Sequence, residues 1–153
     1  MDTLLPIAER VGALLKARGE TIAVAESSSG GLLSAALLAV PGASAYFLGG
    51  AVIYTMPSRL KLLAMPREEI VRSSEESALY LARAARRQLD ATWGLSETGA
   101  AGPTGPAGRT FVAVTGPSEI ALHIETGLGD RVENMRAFSR EALSLLERAL
   151  TAP

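Results

Sequence analysis

One stretch constrains the fold more than any other: Thr21 to Gly31, TIAVAESSSGG. It begins as an apolar, β-branched run over Thr21–Ala25, the composition of a buried strand. It then passes through Glu26, three serines and two glycines into the apolar helical pattern of Leu32–Val40. A strand that feeds a Ser/Gly turn at a helix start aims backbone N–H groups and hydroxyls at one point in space. Such a point is a natural anion or polar-ligand site.

The rest of the chain supplies alternating strands and helices around that turn. Residues 3–18 place Leu4, Ala8, Val11 and Leu15 on one helical stripe, and Gly19 suits the stop. A helix over 30–39 ends at Pro41-Gly42, and Phe47–Tyr54 reads as a second strand. Pro57 fits the first turn of a short helix ending near Leu63, and Pro66 can start another turn. Ser74 with Glu75, Glu76 and Ser77 caps a helix carrying Ala78, Leu81, Ala85 and Leu89 on one face.

Trp93–Thr98 predicts a third strand, followed by the glycine-rich Gly99–Arg109, GAAGPTGPAGR. That segment lacks the Gly-Lys-Ser/Thr ending of a phosphate-cradling loop. It reads as a functional loop whose backbone approaches a ligand closely. Thr110–Thr115 and Glu119–Thr126 form strands across Gly116-Pro117-Ser118, a connection short enough for an antiparallel hairpin. Asp130 with Glu133 starts a final helix striped by Met135, Phe138, Ala142, Leu145 and Ala149. Helix-separated strands plus one hairpin predict an α/β layered fold around a mixed sheet, in a single domain over 1–153.

Composition narrows the chemistry. A hydrophobic fraction of 48% with 20% charged residues is that of a globular chain. The net charge of −1 supplies no electrostatic case for nucleic acid or an anionic membrane. Without cysteine, disulfides, thiolate nucleophiles and cysteine zinc sites are excluded, and a lone histidine excludes a multi-histidine metal site. No apolar run approaches the ~18 residues of a spanning helix, and Asp2 stands where a secretion signal carries basic residues. The expected location is cytoplasmic. A nucleophile in such a chain is Ser or Thr, activated by Lys, Tyr or a bound group.

Five motifs then resemble one known family: AESSSGG, PGASAYFLGGAVIY, SEESALYLARAARRQL, TGAAGP and GDRVENMR. In this order and spacing they are similar to the CinA C-terminal domain, whose standalone members include nicotinamide-nucleotide amidases of the PncC type. The resemblance covers about Leu4 to Leu150. It implies a three-layer α/β/α domain around a mostly parallel sheet that hydrolyses the carboxamide of nicotinamide mononucleotide, with no metal or organic cofactor. Some members carry an additional N-terminal domain, for which this chain is expected to have no room. Residue by residue, the resemblance implies Ser44 as nucleophile in a G-x-S-x-x-F pattern and Tyr54 as proton relay. The family's lysine five residues after that tyrosine is Arg59 here, and Met56 replaces a polar asparagine. An arginine stays protonated, so Arg59 cannot take the serine's proton. Lys61, two positions on along a helix, faces away.

Each position also has a plainer reading. Ser27, Ser29, Gly30 and Gly31 bind a ligand or merely cap a helix. Glu26 orients a ligand, serves as acid or base, or fixes the serine loop by accepting backbone hydrogen bonds. Ser44 is a nucleophile or a turn serine, and Tyr54 a relay or a strand-end tyrosine with its hydroxyl at the surface. Arg59 binds a phosphate or carboxylate, or is a solvated helix residue. Thr98, Gly99 and Gly102 touch ligand or simply connect elements. Arg131 and Arg136 clamp a phosphate or pair with Glu133 or Asp130, while His123 is structural or solvent-facing. Partners reduce to a small-molecule nucleotide and a second copy of the chain, since Tyr46, Phe47 and Leu48 are either core or interface.

Overall fold

The computed structural model describes residues 1–153. The elements are α1 (Leu5–Arg18), β1 (Ile22–Glu26), α2 (Leu32–Leu38), β2 (Phe47–Val52), α3 (Met56–Leu62), α4 (Glu75–Leu89), β3 (Trp93–Ala100), β4 (Arg109–Thr115), β5 (Ile120–Glu125) and α5 (Arg131–Thr151). Short 3₁₀ turns lie at Ala43–Ala45 and Arg67–Glu69. The sheet order is β2-β1-β3-β4-β5. β1 runs parallel to β2 and β3, whereas β3–β4 and β4–β5 are antiparallel.

Period-two side-chain alternation splits the core into two faces. Ile22 and Val24 of β1, with Trp93 and Leu95 of β3, pack with Leu4, Val11, Leu15, Leu37, Leu143 and Leu146, so α1, α2 and α5 cover one face. Ala23 and Ala25 point the other way, toward Leu81, Ala84 and Ala85 of α4 and toward Ile53, Leu63 and Met65. The expected three-layer α/β/α arrangement is there, and the β4–β5 hairpin joins where Gly116-Pro117-Ser118 predicted it. A second antiparallel pair, β3–β4, stands beside that hairpin, so the sheet is divided evenly between parallel and antiparallel neighbours.

Boundaries moved where backbone geometry outweighed the hydrophobic pattern. α2 starts at Leu32 because Gly30 and Gly31 take φ of 67° and 101°, outside the helical region. The second strand ends at Val52, although the Ile53 amide still bonds to the Glu26 carbonyl at 2.9 Å. Gly99 requires a correction. β3 continues through it to Ala100 and pairs Gly99 with Thr110, so the loop is 101–108 and Gly99 is not part of it. A Cβ at Gly99 would strike the Arg109 carbonyl and Thr110, so close strand contact explains this glycine.

Candidate functional site

Strand order fixes where a site can form. From β1 the chain crosses through α2 to β2 on one side, while β3 lies on the other side of β1, reached through α4. The carboxyl ends of β1 and β3 therefore flank the topological switch point, the usual crevice of an open α/β sheet. Glu26, Ser27–Gly31, Glu97 and Thr98 all sit at that edge.

Much of the crevice is already filled by the protein itself. Glu26 is fully buried, and its Oε1 accepts from Ser29 Oγ at 2.7 Å, Gly31 N at 2.9 Å and Leu33 N at 3.1 Å. Its Oε2 accepts from Ser34 N at 2.8 Å and Ser34 Oγ at 2.6 Å. The helix start that looked ready for an external anion is thus capped by the carboxylate of the preceding strand. Beside it, Glu97 Oε1 accepts from Ser27 N at 3.2 Å and Ser29 N at 2.8 Å, and its Oε2 from the Ser28 and Thr110 hydroxyls. Burial pushes the Glu97 carboxyl above the usual carboxylate range, against the lowering effect of these hydrogen bonds.

Ser27, Ser29 and Gly31 turn their amides, and Ser29 also its hydroxyl, inward onto these carboxylates, against the ligand-facing reading of those groups. Of the sequence readings of Glu26, the hydrogen bonds match the loop-fixing one. Gly30 is exposed at the lip, with its amide bonded to the Ser27 carbonyl. Glu97 itself was missed. Its signal was available, as the one charge in the otherwise apolar and small-residue strand WGLSETGA.

The groups left facing outward lie on the α4 side of this edge and along the loop 101–108. Arg59, half-buried, donates through Nε to the Ile53 carbonyl at 3.2 Å and through Nη2 to Thr98 Oγ1 at 3.3 Å. Thr98 Oγ1 is also 3.0 Å from Ser73 Oγ. Burial pushes the Arg59 guanidinium below its ordinary value and nearby Glu97 pushes it back up, and a guanidinium remains a cation throughout. Arg131 donates to the Gly102 carbonyl and, at 3.3 Å, to the Tyr54 hydroxyl. A hollow of about 230 Å³ opens between Arg72, Ser73, Gly99, Ala100, Pro106, Arg109 and Phe111. Arg109 pairs with Glu125 at 3.5 Å, whereas Arg59, Arg72 and Arg131 have no carboxylate within ion-pair distance. Arg72 and Ser73 escaped the sequence reading, and Arg109 entered it only as the end of the Gly99–Arg109 loop. The strong cap signal at Ser74 accounted for that region and hid its neighbours.

Two residues lie apart from this cluster. Arg136 pairs with Glu133 on its own helix turn, the alternative raised from sequence, and lines a separate hollow with Met1, Asp2 and Arg140. Ser44 is exposed in the turn before β2, whereas Tyr54 follows that strand. A six-residue strand separates them by roughly 20 Å within one copy. A larger hollow of about 580 Å³ around Trp93, Pro117 and Ala149 contains none of these residues.

Residues 4–150 match the CinA C-terminal domain family. The chain belongs to that family. A CinA-like protein of Anaeromyxobacter is 41% identical over 150 residues, covering 93% of this chain and 37% of that protein. One from Synechocystis is 43% identical over 133 residues, covering 82% and 32%. The chain thus spans about a third of the length of these relatives. Among solved structures, the competence/damage inducible protein CihA from Agrobacterium tumefaciens superposes with a TM-score of 0.89 at 29% identity, covering 96% of this chain and 94% of that one. A CinA superfamily protein from Escherichia coli gives the same TM-score at 26% identity, covering 97% and 91%. Within this CinA-like chain no helix is long and apolar enough to cross a membrane.

Proposed function

We propose that this chain is a cytoplasmic amidohydrolase that converts nicotinamide mononucleotide to nicotinic acid mononucleotide and ammonia. The observation that carries the reading is the group of cations at one sheet edge. Arg59, Arg72 and Arg131 have no carboxylate partner: Arg59 reaches Thr98, which is 3.0 Å from Ser73, Arg131 reaches Tyr54, and Arg72 lines with Ser73 a hollow of about 230 Å³. Guanidinium groups suit a phosphate because their planar donors meet its oxygens in pairs.

In this reading Ser44 Oγ attacks the carboxamide carbon and the C–N bond breaks. The serine proton passes by way of Tyr54 to the departing nitrogen, so ammonia leaves without a separate base. Because Ser44 and Tyr54 stand ~20 Å apart within one copy, this relay requires the tyrosine of a second copy, the homo-oligomer expected from the sequence. Water then attacks the acyl-serine ester along the same relay, releasing the acid and restoring Ser44. Arg59 acts as a fixed charge. The assay is ammonia release from nicotinamide mononucleotide, with Ser44→Ala as control. Release that vanishes in the variant supports the amidase. Equal release by both proteins removes Ser44 from the mechanism.

A second reading has one observation in its favour, Arg59 at the position where the family pattern has lysine. There the chain binds the nucleotide without hydrolysing it and works as a binding or interaction domain. Calorimetric binding of nicotinamide mononucleotide with no ammonia release would select this reading.

A further inference from the structure

At the end of the sheet away from the Glu26–Glu97 crevice lies the hollow of about 580 Å³, more than twice the size of the one beside Ser73. Four parts of the fold meet there. Arg18 and Glu20 come from the end of α1, Trp93 from the start of β3, Pro117 and Ser118 from the β4–β5 turn, and Ala149 from the last turns of α5. Most of α5 separates Ala149 from Arg131 at the crevice, roughly 27 Å at the helical rise. The volume is that of a small-molecule site.

The wall of this hollow has an apolar part and a charged part. Trp93, the only tryptophan of the chain, is buried, and its ring combines with Pro117 and Ala149 as apolar surface. Its Nε1 is the one buried side-chain nitrogen of the molecule without an acceptor. Buried polar atoms are paired as a rule, so this donor calls for an explanation. Arg18 and Glu20 bring charges of opposite sign to the same hollow, with Arg18 Nη1 3.5 Å from Glu20 Oε1. At that distance they attract without a good hydrogen bond, and each keeps capacity for a further partner.

The adjacent charges select the ligand. A lone anion drawn to Arg18 is repelled by Glu20, and a lone cation drawn to Glu20 is repelled by Arg18. A molecule that carries a carboxylate beside an ammonium satisfies both, and an apolar group on it meets the ring, proline and alanine surface. We propose that this hollow binds a free α-amino acid with an apolar side chain, its carboxylate on Arg18, its ammonium on Glu20 and its side chain against Trp93. The Trp93 N–H is shielded from water, so the ring shifts when a seated carboxylate oxygen reaches it, and indole emission reports that shift. None of these residues belongs to the crevice, and the site does not depend on the amidase reading.

With a single tryptophan, all indole emission of the protein comes from the proposed site. Titration with L-leucine should change that emission saturably, with a dissociation constant of about 0.1–1 mM that calorimetry reproduces. Three analogues each lack one recognised part: 4-methylpentanoate the ammonium, isopentylamine the carboxylate, and glycine the apolar side chain. Each should bind at least ~10-fold more weakly than leucine. An analogue that matches leucine, or no saturable response to leucine up to ~10 mM by either method, overturns the proposal. Arg18→Ala and Glu20→Gln should each melt within a few degrees of the wild type and weaken leucine binding at least ~10-fold. Wild-type affinity in both variants overturns it as well. Neither readout involves ammonia, so a protein that fails as an amidase can still bind leucine here, and an active amidase can fail to.

Discussion

Glu26 and Glu97 stand directly side by side, in register on the adjacent parallel strands β1 and β3, and both are fully buried. Neither forms an ion pair; each is surrounded by hydrogen-bond donors of the Ser27–Ser34 segment. Their donor sets differ in one respect that decides how each tolerates substitution. Both oxygens of Glu26 face backbone N–H groups. Glu97 faces backbone N–H groups with Oε1 only and hydroxyls with Oε2.

A glutamine at position 97 can keep its carbonyl on the two amides and turn its NH₂ toward Ser28 and Thr110, whose hydroxyls rotate to accept. At position 26 the NH₂ must confront a backbone donor whichever way it is placed. Glu97→Gln is therefore expected to cost under ~1 kcal/mol, and Glu26→Gln about 2–4 kcal/mol, since buried donors are left unsatisfied. Denaturant midpoints of the two variants measure this directly. Equal losses would mean that the two carboxylates are not distinguished by their donors.

Glu97 also predicts a pH dependence. Its folded-state value is raised by burial, so the native state holds the proton to higher pH than the unfolded chain, whose glutamates titrate near ~4.3. The contribution of this group is fully present below that value and falls as pH rises through the folded-state value. Across that window the wild type should lose stability relative to Glu97→Gln. The difference between the two proteins, followed by urea unfolding from acid toward neutrality, cancels the other titrating groups. A difference that stays flat, or that grows in favour of the wild type, contradicts the assignment.

The sequence made the order of elements legible because stripes and caps are local. Ser74 caps α4 with Ser77 in return, Asp130 accepts from the Glu133 amide, and Gly19 ends α1 in the left-handed region. It could not say where the turn at Ser27–Gly31 directs its donors. That depended on Glu97, seventy residues distant in sequence from Ser27, arriving in register beside Glu26. The same limit applies to Gly99, whose neighbours across the ladder, Arg109 and Thr110, follow a loop of eight residues. Local pattern marked both segments as special without telling inward from outward.

Gly99 allows that distinction to be tested. Alanine there would drive its Cβ into the Arg109 carbonyl and Thr110, backbone that the β3–β4 ladder holds fixed. Gly99→Ala should destabilise the fold by about 1–3 kcal/mol, in the range of overpacked sites. Its thermal midpoint should drop by several degrees. Normal stability with lost nucleotide affinity would make Gly99 a ligand-contacting residue alone, not one required by the ladder.

Arg131 joins the loop 101–108 to the end of β2, with one nitrogen on the Gly102 carbonyl and another 3.3 Å from the Tyr54 hydroxyl. On the amidase reading it serves twice, fixing the relay tyrosine and adding positive charge at the mouth. Arg131→Lys retains the charge but cannot span both partners from one ammonium. It should preserve most nucleotide affinity while lowering kcat roughly 10-fold, the cost of about 1.4 kcal/mol in transition-state positioning. Arg131→Ala removes charge as well, so KM should rise on top of the same kcat loss. Steady-state ammonia release separates the two effects. A lysine variant with unchanged kcat and raised KM would make Arg131 a phosphate ligand alone, with Tyr54 positioned by the strand that carries it.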